Sequence, residues 1–159
     1  MNRVEVWREF DLGLSLSVSF TYPLFEKRGS SFVKTYGHRA GAKLRKEGKF
    51  LYYSGCSEEE ALLLSGAWFN PLEVVKGPRK WDEALGTLLE DFPGLGMSVD
   101  PWDPRAIFYA IQLSRNTDYH VNTVKWMRAM AKEARNEAGM KQIDPRSYGR
   151  SYQLRQLWE

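Results

Sequence analysis

Ser114, Arg115, Asn116 and Thr117 close an otherwise apolar stretch, and His120 follows three residues later. Hydroxyls, an amide and a guanidinium gathered at a loop tip can hydrogen-bond phosphate oxygens and base edges. They can also fill the gap left by an unstacked base. The same residues suit a plain inter-helix turn, capped by Asn116, Thr117 or Asp118. On spacing alone the turn is the simpler reading. Catalytic patterns are absent. The two histidines, His38 and His120, stand far apart, and neither lies near Cys56, the single cysteine. No HExxH, GxSxG, phosphate-binding loop or dinucleotide fingerprint occurs. Glu58, Glu59 and Glu60 read as first-turn carboxylates that complement a helix dipole. Of the basic runs "GPRKW" and "KLRKEGK", the second reads more simply as a solvated hairpin face than as a phosphate contact. The reading therefore holds no catalytic residue, no metal ligand and no cofactor.

The chain of 159 residues suits one compact domain or two small layers around a shared core. Its 43% hydrophobic content allows folding, and its six tryptophans suggest a large core or an aromatic contact surface. A net charge of +3 permits nucleic-acid binding without demanding it. One cysteine excludes a disulfide framework and a cysteine zinc cluster, and Cys56 reads as a small buried hydrophobe. "MNRVEVWREF" has no signal-peptide pattern, and no apolar run is long enough to cross a membrane, so a cytoplasmic protein is expected.

These residues need elements to position them. Residues 4 to about 55 read as an antiparallel meander of four or five strands. Within it, Leu12, Leu14, Leu16 and Val18 alternate as in a half-buried strand. Gly29 and its neighbouring serines mark a turn, and Pro23 marks an edge, a bulge or a strand end. At "SGCSEEEALLLSGAWF" the pattern changes: Ser57 and Glu60 form a capping box before Ala61, Leu62, Leu63, Leu64 and Trp68, which point a helix into the core. "NPLEVVKG" reads as a short helix or turn. "PRKWDEALGTLLEDF" is amphipathic up to the break at Pro93 and Gly94. Asp103 and Pro104 read as an N-cap with proline at the first helical position, and Ile107, Ala110, Ile111 and Ser114 share a face. Val121, Val124, Met127 and Ala131 stripe the next helix, which Gly139 ends. The tail "DPRSYGRSYQLRQLWE" suits one last helix. The fold class is α+β: an antiparallel sheet domain over 1–56, then a helical part over 57–159. So many aromatic residues in so short a helical part hint at a partner chain.

The ordered series "FPGLG", "DPWD" and "SRNT" resembles the helix-hairpin-helix DNA glycosylases, most closely the branch with 8-oxoguanine and 3-methyladenine glycosylases. "FDLGLSLSVSFTY" is similar to that family's first sheet segment, and "YYSGCSEEEALLLSGAWFNPLEVV" to its link into the helical part. The resemblance covers about residues 8 to 140. It implies that Ser114, Arg115, Asn116 and Thr117 are the wedge that enters duplex DNA beside an extruded damaged base, and that His120 faces the orphaned partner base. It sets Ser17 and Phe20 at the base pocket, where the family's usual Gly-Gln reads Ser17-Val18. The family's hairpin, its catalytic Asp and the Lys of its lyase-active members do not occur in these residues. The expectation is therefore one subunit of a split DNA glycosylase in base excision repair, inactive alone and completed by a second polypeptide. The alternative is a non-enzymatic DNA-damage-binding protein derived from a glycosylase.

Overall fold

The computed structural model describes residues 1–71, 73, 87, 90–115 and 117–148. The fold is α+β, an antiparallel sheet followed by helices. The strands are β1 (Asn2–Glu5), β2 (Phe25–Arg28), β3 (Ser31–Lys34), β4 (Lys43–Glu47) and β5 (Phe50–Ser54), in the sheet order β1-β5-β4-β3-β2. The helices are α1 (Leu12–Ser17), α2 (Glu58–Ser65), α3 (Pro104–Leu113), α4 (Val124–Ala134) and the single turn α5 (Glu137–Met140). Short 3-10 turns cover Tyr22–Leu24 and Pro145–Tyr148, and a π turn covers Tyr119–Thr123. The chain forms two compact units: residues 1–19 with 43–99, and residues 20–42 with 100–159. Among the described residues no helix is long and apolar enough to cross a membrane.

In the first unit, β5 pairs with β1 and β4, with Leu51 opposite Val4 and Lys46. Alternation along β5 buries Leu51 and Tyr53 and turns Phe50 and Tyr52 outward. There the guanidinium groups of Arg3 and Arg45 lie 4.7 and 5.0 Å from the Phe50 and Tyr52 rings, cation–π contacts that cover the outer face. The leucines expected on a strand form α1 instead. Asp11 caps it by accepting the Leu14 N–H at 2.9 Å, and Leu12, Ser15 and Leu16 face inward at helical spacing while Val18 is exposed. A period of two in the leucines coincides with two points of a helical face, so the local cap decides. The capping box is present: Ser57 and Glu60 bond reciprocally at 3.2 and 2.7 Å. Gly66, at φ +90°, ends α2 in the left-handed conformation. Trp68 thus lies beyond the helix, about half exposed, and donates to the Met97 carbonyl at 2.7 Å. Cys56 is half-buried in the turn before α2. The "FPGLG" loop is held by α1, whose Ser15 hydroxyl accepts the Gly96 N–H at 2.7 Å. Most of "PRKWDEALGTLLEDF" and all of residues 149–159 lie outside the described residues.

In the second unit the 3-10 turn at Tyr22–Leu24 takes Pro23 and delivers the β2–β3 hairpin, which turns at Gly29 (φ +61°). Lys34, at the end of β3, is fully buried. Its ammonium donates to the Asp103 carboxylate and the His38 carbonyl at 2.5 Å each and is ion-paired with the Asp100 carboxylate at 2.7 Å. Asp103 also accepts the His38 backbone N–H at 3.0 and 3.2 Å. That commitment corrects the expectation that Asp103 caps α3: it stands at the N-cap position but makes no side-chain cap bond. A Cβ at Gly37 would run into this carboxylate, and the Gly37 φ of +70° also favours glycine. Trp102 stacks on the His38 ring, with centroids 4.8 Å apart.

The buried face of α3 is Ala106, Tyr109, Ala110 and Leu113, rotated from the expected one, so that Ile111 is exposed. On α4 the stripe is Val124, Met127, Met130, Ala131 and Ala134, while Val121 is exposed. The helix ends at Arg135 (φ +62°) rather than at Gly139, which lies within α5.

Replacing Lys34 by Met should cost about 3–5 kcal/mol in urea unfolding, because two buried carboxylates lose their counter-charge. Burial raises the Asp100 carboxyl above its ordinary range, with Asp103 adding and Lys34 opposing. A group whose folded value is raised stabilises below its unfolded value and loses that contribution as pH rises through the folded one. The stability of the wild type relative to Asp100→Asn should therefore fall as pH rises through that window, measured by urea titrations at stepped pH.

Candidate nucleic-acid interface

The tip between α3 and α4 is built from local hydrogen bonds. Ser114 ends α3 and its hydroxyl donates to the Ile111 carbonyl at 2.7 Å. Asp118, one of the three residues expected to cap the following turn, does so by accepting the Val121 N–H at 2.8 Å. Thr117 Oγ1 accepts from the Asn122 amide at 2.9 Å. The buried Thr123 hydroxyl donates to the Leu113 carbonyl at 3.0 Å and ties the start of α4 to the end of α3. Between them the backbone makes one wide turn, in which the Thr123 N–H reaches back five residues to the Asp118 carbonyl at 3.4 Å. Such π turns are rare and concentrate at functional sites.

Arg115 and His120 are exposed, and Ser114 and Thr117 are half-buried. Asn116 lies outside the described residues. His120 packs edge-on against Tyr22 and Tyr119, with ring centroids 5.8 and 5.2 Å away. Phe20, partly exposed, meets Tyr119 edge-on at 6.0 Å. The Arg128 guanidinium lies 5.5 Å from the Tyr22 ring centroid and donates to the Phe25 carbonyl at 3.1 Å. Burial pushes the Tyr119 phenol up, so it remains a neutral hydroxyl across the physiological range. The tip is thus a wet polar end backed by an aromatic cluster with one fixed cation. Its groups donate and accept hydrogen bonds and offer π faces, and among the described residues the arrangement holds no nucleophile with an adjacent base.

The structure brings Ser114, Arg115, Thr117, His120 and Phe20 into one unit. Ser17 belongs to the other unit and lies on α1 rather than on a sheet segment, its hydroxyl donating to the Leu14 carbonyl at 2.9 Å. Tyr22, Tyr119 and Arg128 are the members of the cluster that sequence reasoning missed. Arg128 carried a signal, since it stands eight residues after His120, two helical turns along the same side. Among the described residues no group of three His, Cys, Asp or Glu could hold a metal ion.

Comparison with solved structures finds a match to MBOgg1 in complex with a low-affinity DNA ligand, at 11% identity and a TM-score of 0.51. The match covers 83% of this chain and 44% of that one. At this identity the likeness is one of fold alone. No protein-family model and no curated protein matches the sequence.

Two substitutions test how the tip is held. Asp118→Ala removes a cap and should cost about 1 kcal/mol. Thr123→Val leaves the buried Leu113 carbonyl without its hydroxyl donor and should cost about 1–3 kcal/mol. Both are read by chemical denaturation, and equality of either variant with the wild type would show that the bond it removes does not hold the tip.

Proposed function

We propose that this chain is the sheet-and-tip portion of a DNA glycosylase acting in base excision repair, and that it binds duplex DNA carrying a damaged base. Ser114, Arg115, Asn116 and Thr117 enter the duplex beside the extruded base, and His120 meets the orphaned partner. Ser17 and Phe20 contribute to the base pocket. A second chain supplies the helix-hairpin-helix and the catalytic Lys and Asp, and this chain alone is not catalytic.

One observation carries the reading: a capped polar tip with Arg115 and His120 exposed, within a fold like that of a DNA-bound protein. Exposed polar and cationic groups at a turn can bond phosphates and the edges of an unpaired base. The match covers 44% of the DNA-bound chain, and we assign the remainder of that fold to a second chain. The alternative is a non-enzymatic damage-binding protein, and neither reading places chemistry on this chain. Lys34 and Asp103 form a Lys–Asp pair at 2.5 Å, yet their side chains are 0% and 2% exposed and cannot reach a sugar carbon.

Fluorescence anisotropy with a duplex containing an abasic-site analogue, beside an intact duplex of the same sequence, tests the reading. Binding should favour the abasic duplex and weaken steeply with salt. Arg115→Ala should weaken it about tenfold, the ~1.4 kcal/mol of one polar contact. Absence of binding to either duplex at low salt sinks the proposal. A companion chain bearing the hairpin should confer base release on a lesion-bearing duplex. Base release by this chain alone would overturn the division of labour.

A further inference from the structure

A cleft of about 600 Å³ opens within the second unit between the β2–β3 hairpin and α4. This volume falls within the ~300–1,000 Å³ of small-molecule sites. Arg28, Arg128 and Lys132 line it with Glu26, Thr35 and Gly41. Glu26 is already held by Arg28 at 2.9 Å, and Lys132 has no ion-pair partner among the described residues. Lys34 also borders the cleft, but its charge is met by Asp100 and Asp103. With Arg28 and Glu26 matched, the excess cations of the cleft are Arg128 and Lys132, one helical turn apart on α4. A guanidinium fork and an ammonium so spaced suit phosphate oxygens, and a guanidinium takes two of them at once.

The cleft is joined to the tip. Arg128 lines the cleft and lies over Tyr22, and Tyr22 packs on His120. One ring and one guanidinium span the distance between the residue at the tip and the cationic wall. We propose that this cleft is a phosphodiester site, which holds the backbone of a nucleic-acid strand as it leaves the tip. The strand assignment rests on the DNA-binding reading above. The phosphate chemistry stands on the cleft itself. Arg128 orients the site, because its Phe25 and Tyr22 contacts fix its direction. Arg28 and Lys132 are exposed and move to meet the ligand.

Two measurements on the full chain test the proposal, and both use exposed residues so that folding is not at stake. In the first, amide NMR shifts are followed at low salt with the trinucleotide (dT)3 and, separately, with inorganic phosphate. The trinucleotide should move Thr35, Gly41, Ala129 and Lys132 at lower concentration than phosphate does, and Lys132→Glu should abolish the effect. Equal response to both probes reassigns the site to free phosphate and overturns the strand assignment. No response at these residues overturns the site. In the second, abasic duplex is titrated at stepped salt. Arg28→Gln and Lys132→Gln should each lower the slope of log affinity against log salt by about 0.9, one phosphate apiece. Slopes unchanged in a chain that binds duplex reject the cleft and leave the DNA reading intact. Trinucleotide shifts in a chain that ignores the duplex keep the phosphate site and reject the DNA reading.

Discussion

The second unit depends on one buried ammonium. Lys34 lies with no exposed side-chain surface among two carboxylates and a carbonyl. Removing such a charge from water is costly, and the interior recovers the cost only if every proton finds an oxygen at close range. That requirement draws together residues 34–38 and 100–103, which are far apart in the chain. It demands a glycine at 37, because the carboxylate occupies the space of a Cβ. It takes Asp103 away from capping α3 and leaves Pro104 to begin the helix. The direction of α3, and so the position of the tip at its far end, follows from this anchoring.

Much of the local structure was legible. Ser57 and Glu60 announced α2 because a capping box is written in adjacent residues. The strands β3, β4 and β5 announced themselves as short runs between glycines, apolar in β3 and β5 and charged in β4. The α1 helix did not, because leucines two apart satisfy a strand and a helix equally and only Asp11 separates the two. Asp103 misled for a different reason. Its sequence neighbours describe a cap, but its partner lies 69 residues away and wins because it is charged and buried. The rotation of the α3 face has the same origin, since that face is set by what lies beneath it and not by its own period.

The candidate site was legible in outline only. The polar cluster stood out as a sequence because small polar residues end an apolar stretch abruptly. That it is held by Asp118 and Thr123 required the fold, since both act through backbone groups outside the cluster. The aromatic backing of Tyr22 and Tyr119 was hidden because Tyr22 arrives from a stretch almost a hundred residues earlier. A buried Lys–Asp pair is also a warning about chemistry read by residue type. Proximity makes a pair, and access makes it reactive.

The π turn at Tyr119–Thr123 puts one residue more into a helical turn than an α-helix holds. Each α-helical residue advances the side-chain direction by about 100°. The core of the unit fixes α4 through Met127 and Met130, so the phase of that helix cannot adjust. The added residue is therefore taken up by widening the turn at the tip and not by rotating the helix behind it. Losing a single residue here would narrow the turn to an ordinary α-helical one and disturb the place from which the buried Thr123 hydroxyl reaches the Leu113 carbonyl. The width of the turn beneath the tip is thus encoded as a count of residues rather than as the identity of any one of them.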